Sequence, residues 1–260
     1  MSRAHFLACP ADGAQVERKW SYPESMLTRM TTPTVAEDVA DRIRRLIHDG
    51  ALSAGDRLPG ERDLATDLGV GRVSVREAIR LLADAGYLTV RRGATGGTFV
   101  TGLDSPYEAW LERMRSRAGE LDSILDLRIA LEGHAASLAA HRRSNAELGA
   151  LRQNIADMQE SSTRRSFRLA DSQFHAMVAA AARSSRLAEV IAQARGEFFV
   201  PADTLVFKEQ IGVSVSGHEA ILRALSDQDA GAARAAMAEH IEATRAHVHR
   251  VLRGDRLQRP

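Results

Sequence analysis

Apolar residues in the first part of the chain recur with the period of a helix, in three successive stretches. The first stretch begins at Thr34, and Glu37, three residues later, completes a capping box that marks the start of a helix. The apolar stripe that follows runs to about residue 48 and consists of Val35, Val39, Ile43, Leu46 and Ile47. This spacing predicts one amphipathic helix with a single buried face.

Two further helices follow, joined by a three-residue glycine turn. The first is short and ends at Gly69, and the second begins after Gly71 and ends at Gly86. Their predicted inward-facing residues are Leu64, Ala65, Leu68, Val75, Ala78, Ile79 and Leu82. The segments YLTVRR and TFVT then flank a glycine-rich turn, so they predict the two strands of a β-hairpin.

The pattern changes after Ser105, because no strand pattern recurs from there to Leu252. Six or seven amphipathic stretches rich in Ala, Leu, Ile and Arg predict an all-α helical bundle. The chain is therefore expected to be mainly α-helical, with three helices and a hairpin followed by this bundle. The expected boundaries are a mobile N-terminal arm at 1–33, the three-helix and hairpin domain at 34–102, a linker at 103–106, the bundle at 107–252 and a tail at 253–260.

Composition and charge limit what these two parts can do. The 260-residue chain has a formal net charge of +1, so any surface that binds nucleic acid must be local. No apolar run of 18 residues occurs, and the sequence therefore predicts no membrane-spanning helix. The single cysteine, Cys9, excludes an intrachain disulfide, and the arm lacks the apolar core of an export signal. We expect a cytoplasmic protein.

Arg72, Arg76 and Arg80 of the third helix are spaced four residues apart and share one face, with no interleaved acids expected to match them. Residues 68–101 contain five arginines and two acidic residues, a local excess of +3. A charged face is usually only solvated. Two helices joined by a tight glycine turn, however, form a helix-turn-helix whose second helix enters the DNA major groove, where arginine pairs with guanine and holds phosphates. The pattern therefore favours DNA binding, with the hairpin as a wing.

Several segments carry a resemblance to a known family. LPGERDLA, RVSVREAI and GGTFV closely resemble the winged helix-turn-helix of GntR-family bacterial transcription regulators. LDLRIALEGHAASLAA, DSQFHAMV, GHEAILRAL and AEHIEATR resemble the FCD ligand-binding domain of the FadR subfamily. The resemblance spans roughly residues 34–252. It implies a regulator that is not an enzyme and that binds a short inverted repeat of double-stranded operator DNA as a homodimer, at the nucleoid of a bacterial cell.

The resemblance also implies which residues contact DNA. They lie on the second helix, on the recognition helix and in the wing, and they are Arg62, Arg72, Ser74, Arg76, Arg92 and Gly97. Arg80, one turn further along the helix, is expected to matter less. Gly71 stands where the family often has a polar residue, so the operator preference is expected to differ from the common family site.

A second group of polar residues falls on predicted apolar helix faces in the bundle: Asp171, His175, His218 and His240. A lone histidine on such a face is usually a hydrogen-bonded core residue, and Asp171 can equally be a helix N-cap, so the spacing leaves these interpretations open. One aspartate and three histidines suit a divalent ion such as Zn²⁺, Ni²⁺ or Mn²⁺. Metal-binding FCD domains resemble the sequence at all four positions, which implies such a site.

Arg128 is, by the same resemblance, the candidate to pair with the carboxylate of a small organic-acid metabolite bound at the metal. The alternative is a helical ion pair between Arg128 and Glu132. We therefore expect a regulator whose operator affinity is set by a small carboxylate. One alternative is a metal sensor, in which the ion is the signal. Another is a metallo-hydrolase, which lacks a motif such as H-E-x-x-H and leaves the winged domain unexplained.

Overall fold

The computed structural model describes residues 33–93, 96–102, 104–197 and 207–253. In chain order, the elements within these ranges are α1 Val35–His48, α2 Glu61–Leu68, α3 Arg72–Asp84, β1 Leu88–Arg91, β2 Gly97–Val100, α4 Asp104–Ser116, α5 Ala118–Arg142, α6 Asn145–Gln159, α7 Arg164–Ala181, α8 Ser185–Glu197, α9 Phe207–Ser226 and α10 Ala230–Leu252. The predicted mainly α-helical fold is confirmed. Apart from Pro33 and Arg253, the expected arm and tail lie outside the described residues.

The first helix begins as the capping pattern predicts. The Thr34 hydroxyl accepts a hydrogen bond from the Glu37 N–H at 3.2 Å, and the Glu37 carboxylate accepts one from the Thr34 N–H at 2.7 Å. The predicted apolar stripe is wrong at two positions, since Val35 is 51% and Leu46 is 42% exposed. Val35 is the first residue of the helix, and Leu46 lies one position round from the buried Ile47, at the edge of the face.

The glycine turn between α2 and α3 closes the helix-turn-helix. Gly69 has a left-handed φ of +66° and ends α2, and the Val70 N–H donates to the Ala65 carbonyl at 3.0 Å. Helix α3 packs on α1. The shared core of this domain includes Ile43, Ile47, Val75, Ala78, Ile79, Leu82, Leu88 and Val100.

The hairpin pairs β1 and β2 antiparallel, with Leu88 opposite Val100 and Arg91 opposite Gly97. Gly97 has a φ of +153°, and a Cβ there would lie 2.7 Å from Nε of Arg57. The positive φ favours glycine at this position, and a larger residue would also displace the end of the Arg57 side chain.

Helices α4 to α10 form the bundle, in agreement with the predicted six or seven helices. The expected linker at 103–106 needs correction, since α4 already begins at Asp104. Pro106 is tolerated there because the first turn of a helix has no partner for its N–H groups. The long helices α5 and α10 pack against each other, and the bundle core gathers around Leu121, Leu125, Phe174 and Met237. Across the described ranges, none of the helices combines the length and apolar character needed to cross a membrane.

Candidate functional site

Three helices of the bundle bring the predicted metal ligands together. Asp171 and His175 come from α7, His218 from α9 and His240 from α10, and one ligand atom of each lies within 4.8 Å of the others. The three histidines are buried and Asp171 is partly buried. Because Asp171 lies inside α7, whose N-cap is Thr163, the interpretation of Asp171 as an N-cap is wrong.

The separations between the donor atoms suit a single small cation. Nε2 of His175 lies 3.2 Å from Nε2 of His240, and Nε2 of His218 lies 3.6 Å from Oδ1 of Asp171. Two nitrogens bound tetrahedrally to one zinc ion are about 3.3 Å apart, given Zn–N bonds of about 2.0 Å. The side chains therefore need only small adjustments to share an ion.

A layer of charged residues surrounds these donors. Oε2 of Glu132 lies 2.6 Å from Nδ1 of His175, and Oε1 of Glu132 accepts a 2.7 Å hydrogen bond from Nε of Arg128. Arg195, on α8, donates to Oδ2 of Asp171 at 3.1 Å and to Oε2 of Glu132 at 3.4 Å. A carboxylate behind a histidine fixes the ring so that its other nitrogen faces the metal.

The sequence pattern gave no role in the metal site to two of these residues. In that pattern Glu132 was only a possible ion-pair partner of Arg128, and that ion pair is present. Arg195 carried no signal, because its contact with Asp171 depends on how α8 packs against α7.

Among the four candidate ligands, His218 has the surroundings that point most directly to a metal ion. Neither of its ring nitrogens has a hydrogen-bond partner among the described residues, although the side chain is fully buried. Its ring stacks on Phe174, with centroids 3.9 Å apart and planes 6° from parallel. A buried imidazole without partners is costly, and a metal ion at Nε2 would satisfy one of the two nitrogens.

The protonation states of the cluster are those that bind a metal. Burial lowers the pKa of His240 to about 3, and it also holds the pKa of His218 well below its usual value. Burial and then Arg195 lower the pKa of His175. Burial alone would raise the pKa of Asp171, but the surrounding positive potential, which includes that of the Arg195 guanidinium, lowers it below its ordinary value. Neutral imidazoles and an ionised carboxylate are the forms that act as ligands.

The donor set, the spacing and the unpartnered His218 thus fit a divalent cation. Asp171, His175, His218 and His240 would hold it, and it would supply a positive charge and exchangeable positions for an anionic ligand.

The second candidate surface is the exposed end of the helix-turn-helix. Arg72 and Arg76 are exposed on α3, Ser74 is partly buried, and the side chain of Arg62 on α2 is 82% exposed. In the wing, Arg92 is exposed. Gly97 has a positive φ and lies against the Arg57 side chain.

The sequence predicted no acids matched to the arginine face, and this prediction is wrong. Arg76 forms a two-nitrogen ion pair with Glu61 of α2, with a shortest distance of 2.8 Å. Arg80 binds Glu77 and Asp84 at 2.7 Å each, so its charge is locally neutralised. The spacing along α3 alone could not reveal the first pair, because Glu61 lies 15 residues away on another helix.

The end of α8 contacts both the charged layer around the candidate metal ligands and helix α1 of the helix-turn-helix domain. The residue after Arg195 is Gly196, whose carbonyl lies 3.1 Å from Nδ1 of His48, and Nε2 of His48 lies 3.0 Å from the Tyr87 hydroxyl. Burial lowers the pKa of His48 to about 3, so the ring is neutral. A carbonyl only accepts, so Nδ1 carries the hydrogen and Nε2 accepts from Tyr87.

The close approach at this contact depends on glycine. A Cβ at Gly196 would clash with Cγ of Arg45 in α1, so a larger residue would displace the Arg45 side chain. Helix α8 is thereby seated directly on α1.

Comparison with known proteins agrees with both parts of the fold. Residues 35–100 match the family described as bacterial regulatory proteins, gntR family, and residues 123–243 match the FCD domain. The chain is 31% identical to an uncharacterized HTH-type transcriptional regulator, YcbG, of Bacillus subtilis, over 82% of this chain and 89% of the relative. It is 32% identical to a putative L-lactate dehydrogenase operon regulatory protein of Escherichia coli, over 80% of this chain and 83% of the relative.

Among solved structures, E. coli McbR/YncC resembles the chain with a TM-score of 0.53 and 20% identity, over 84% of this chain and 99% of the other. That likeness concerns the fold alone.

Proposed function

Because the chain belongs to the GntR family of bacterial regulatory proteins and is a DNA-binding transcription regulator with an FCD domain, we propose that a small organic acid controls its operator affinity from a metal site in the helical bundle. The cluster of Asp171, His175, His218 and His240 carries this proposal. The relatives are regulators, and the chain is accordingly not the metallo-hydrolase considered from the sequence.

The charges around the cluster favour an anionic effector. The carboxylates of Glu132 and Asp171 are balanced by the guanidinium groups of Arg128 and Arg195, and the imidazoles are neutral. A divalent ion would therefore leave the site with two excess positive charges, which a carboxylate would offset. The name of the E. coli relative concerns an L-lactate dehydrogenase operon, and lactate is a compound of this chemical class.

Arg128 is the proposed partner of the effector carboxylate. It is only 5% exposed and already bonded to Glu132, so an incoming carboxylate would share this guanidinium with Glu132. The ion pair and the effector contact are therefore compatible, and the ion pair orients the guanidinium in advance.

The end of α8 offers a route from this site to the DNA-binding domain. Arg195 binds two carboxylates of the site, and the adjacent Gly196 binds His48 of α1. A ligand that draws Asp171 or Glu132 away from Arg195 would change the position of this helix end. An effector acts only through its different affinities for two arrangements, and we propose that the seating of α8 on α1 differs between them.

We further propose that the protein acts as a homodimer on an inverted repeat. Two copies of the recognition helix α3 would then occupy successive major grooves, one helical turn apart. The proposed DNA contacts remain Arg62, Arg72, Ser74, Arg76, Arg92 and Gly97.

Thermal-shift measurements on metal-loaded and metal-stripped protein, with a panel of small carboxylic acids, test the proposal. We expect an acid that stabilises only the loaded protein and changes its affinity for a selected operator. If no acid in the panel does so, and metal alone changes operator affinity, the metal-sensor alternative is supported instead. This second candidate rests on the four-donor cluster, which needs no organic ligand to bind an ion.

A further inference from the structure

Val73 is the most exposed large apolar side chain of the described residues, with 81% of its surface accessible. It is the second residue of α3, and the other branched or long apolar residues at the helix core positions are buried, namely Val75, Ile79 and Leu82. Valine is also a weaker helix former than most residues. The fold of the isolated chain therefore gives no physical reason for an apolar group at this position.

The surroundings of Val73 indicate what could cover it. It stands between Arg72 and Ser74, one turn before Arg76, at the end of α3 that starts at Gly71. Gly71 has no side chain to cap the helix, so the first N–H groups of α3 point outward without a side-chain acceptor from this residue. In a helix-turn-helix, the first residues of the second helix reach the base edges in the major groove.

Only one group on the major-groove edges matches an apolar side chain. The edges of guanine, adenine and cytosine present hydrogen-bonding atoms, which valine cannot pair with, whereas thymine presents its C5 methyl group. Arginine and serine next to Val73 can supply the hydrogen bonds to neighbouring bases and phosphates.

We propose that Val73 packs on the C5 methyl group of one thymine in each half of the operator and selects thymine at that position. This inference rests on the DNA binding that family membership gives, and it is independent of the metal site and its effector. Val73 thus recognises a base through an apolar contact, whereas its neighbours recognise bases through hydrogen bonds.

The test compares thymine with deoxyuridine, which lacks only the methyl group. Duplexes bound by the full-length protein are selected from random sequence, and each thymine in one half-site is then replaced in turn. At one position, the affinity is expected to fall about fourfold, the factor for losing burial of one methyl-sized group. Val73→Ala should bind the thymine duplex more weakly by a similar factor and should lose the response to deoxyuridine at that position only.

The controls separate this effect from folding and from general DNA binding. Val73→Ala should melt at the wild-type temperature because the residue is exposed, and Val73→Thr, which keeps one methyl group, should keep a response to deoxyuridine. Val213→Ala removes an equally apolar, 60% exposed side chain from α9 and should bind like the wild type.

Three results would overturn the proposal while leaving DNA binding itself intact. The first is a wild-type protein that ignores every deoxyuridine, and the second is a Val73→Ala protein that responds like the wild type. The third is a change of oligomeric state in Val73→Ala with no change at any thymine, since this would place the side chain in a protein contact. Failure to select any duplex would refute DNA binding itself, and with it this inference.

Discussion

Nε2 of His175 and Nε2 of His240 face each other at 3.2 Å inside the bundle, from helices α7 and α10. Glu132 lies against Nδ1 of His175, so that nitrogen carries the hydrogen and Nε2 of His175 is an acceptor. The two rings can therefore either share one hydrogen from His240 or bind a common cation. A cation bound by both rings would therefore also hold α7 against α10.

Replacing His218 with alanine should remove metal from the bundle. The buried ring stacks on Phe174 but has no hydrogen-bond partner among the described residues, so the variant loses this packing contact and a candidate ligand but no hydrogen bond. Metal at a hundredfold its Kd should stabilise the wild type by about 2.7 kcal/mol and should stabilise His218→Ala far less. Elemental analysis and thermal melts with and without metal check this.

The matched control for that variant is His134→Ala, which removes an exposed histidine of α5. It should retain metal and melt like the wild type. Full metal content in His218→Ala would instead mean that these histidines are ordinary core residues. Operator affinity without effector should change little in either variant.

Gly217→Ala should weaken metal binding without deleting a ligand. A Cβ at this position would lie 2.5 Å from Nδ1 of His240, so the ring must move away from the other donors. Changes next to a metal ligand typically lower affinity about ten- to a hundredfold. Competition with a coloured chelator measures this loss.

Gly212→Ala, on the same helix, is the control for the Gly217 experiment. Among the described residues, no heavy atom beyond the adjoining backbone of the helix lies within 4 Å of a Cβ there, and alanine should stabilise the helix by up to about 1 kcal/mol. Equal metal affinities in the two variants would show that the closeness of Gly217 and His240 has no role in the site.

Arg72→Ala and Arg76→Ala should each weaken binding to a selected operator by about 1–3 kcal/mol. Arg80→Ala should cost less, because Arg80 is already paired with Glu77 and Asp84. Fluorescence anisotropy at fixed salt gives these affinities, and melts verify that each variant folds. An Arg80 effect larger than both others would mean that a different face of α3 meets the DNA.

Acidification should weaken the fold partly through His48. Its pKa is about 3 in the folded protein against 6.5 as the ordinary value, so the unfolded chain takes up a proton that the folded one excludes. The contribution of His48 to the free energy of unfolding is therefore fully present above pH 6.5. It falls as the pH drops towards 3, by up to about 1.4 kcal/mol per pH unit.

Urea unfolding at several pH values between about 7 and 5 measures this dependence. His48→Gln should show a shallower loss of unfolding free energy on acidification than the wild type does. His134→Gln, in which the exposed histidine is changed, should follow the wild type. Parallel curves for wild type and His48→Gln would contradict a buried, neutral His48.

Features set by local periodicity could be predicted from the sequence. The capping box at Thr34, the glycine turn and the hairpin depend on residues close together in the chain, and the structure has all three. The four candidate ligands were recognisable because polar residues on apolar faces, together with the family resemblance, single them out.

Contacts between distant segments could not be predicted. The pairing of Glu61 with Arg76 and the approach of Arg195 to Asp171 depend on how separate helices pack. The exposure of Leu46 depends on which side of α1 meets α3, and the period of the stripe alone does not define its edge.

Gly196 limits how freely the two halves of this regulator can be exchanged with those of its relatives. A hybrid that joins this bundle to a foreign DNA-reading head would keep the glycine but lose the imidazole of His48 and the side chain of Arg45 that rest on it. Such a hybrid could bind both its operator and its ligand without any coupling between ligand binding and operator affinity. A biosensor built from this bundle therefore has to keep α1, and because α1 shares its core with α3, the foreign part has to supply an α3 face that fits α1.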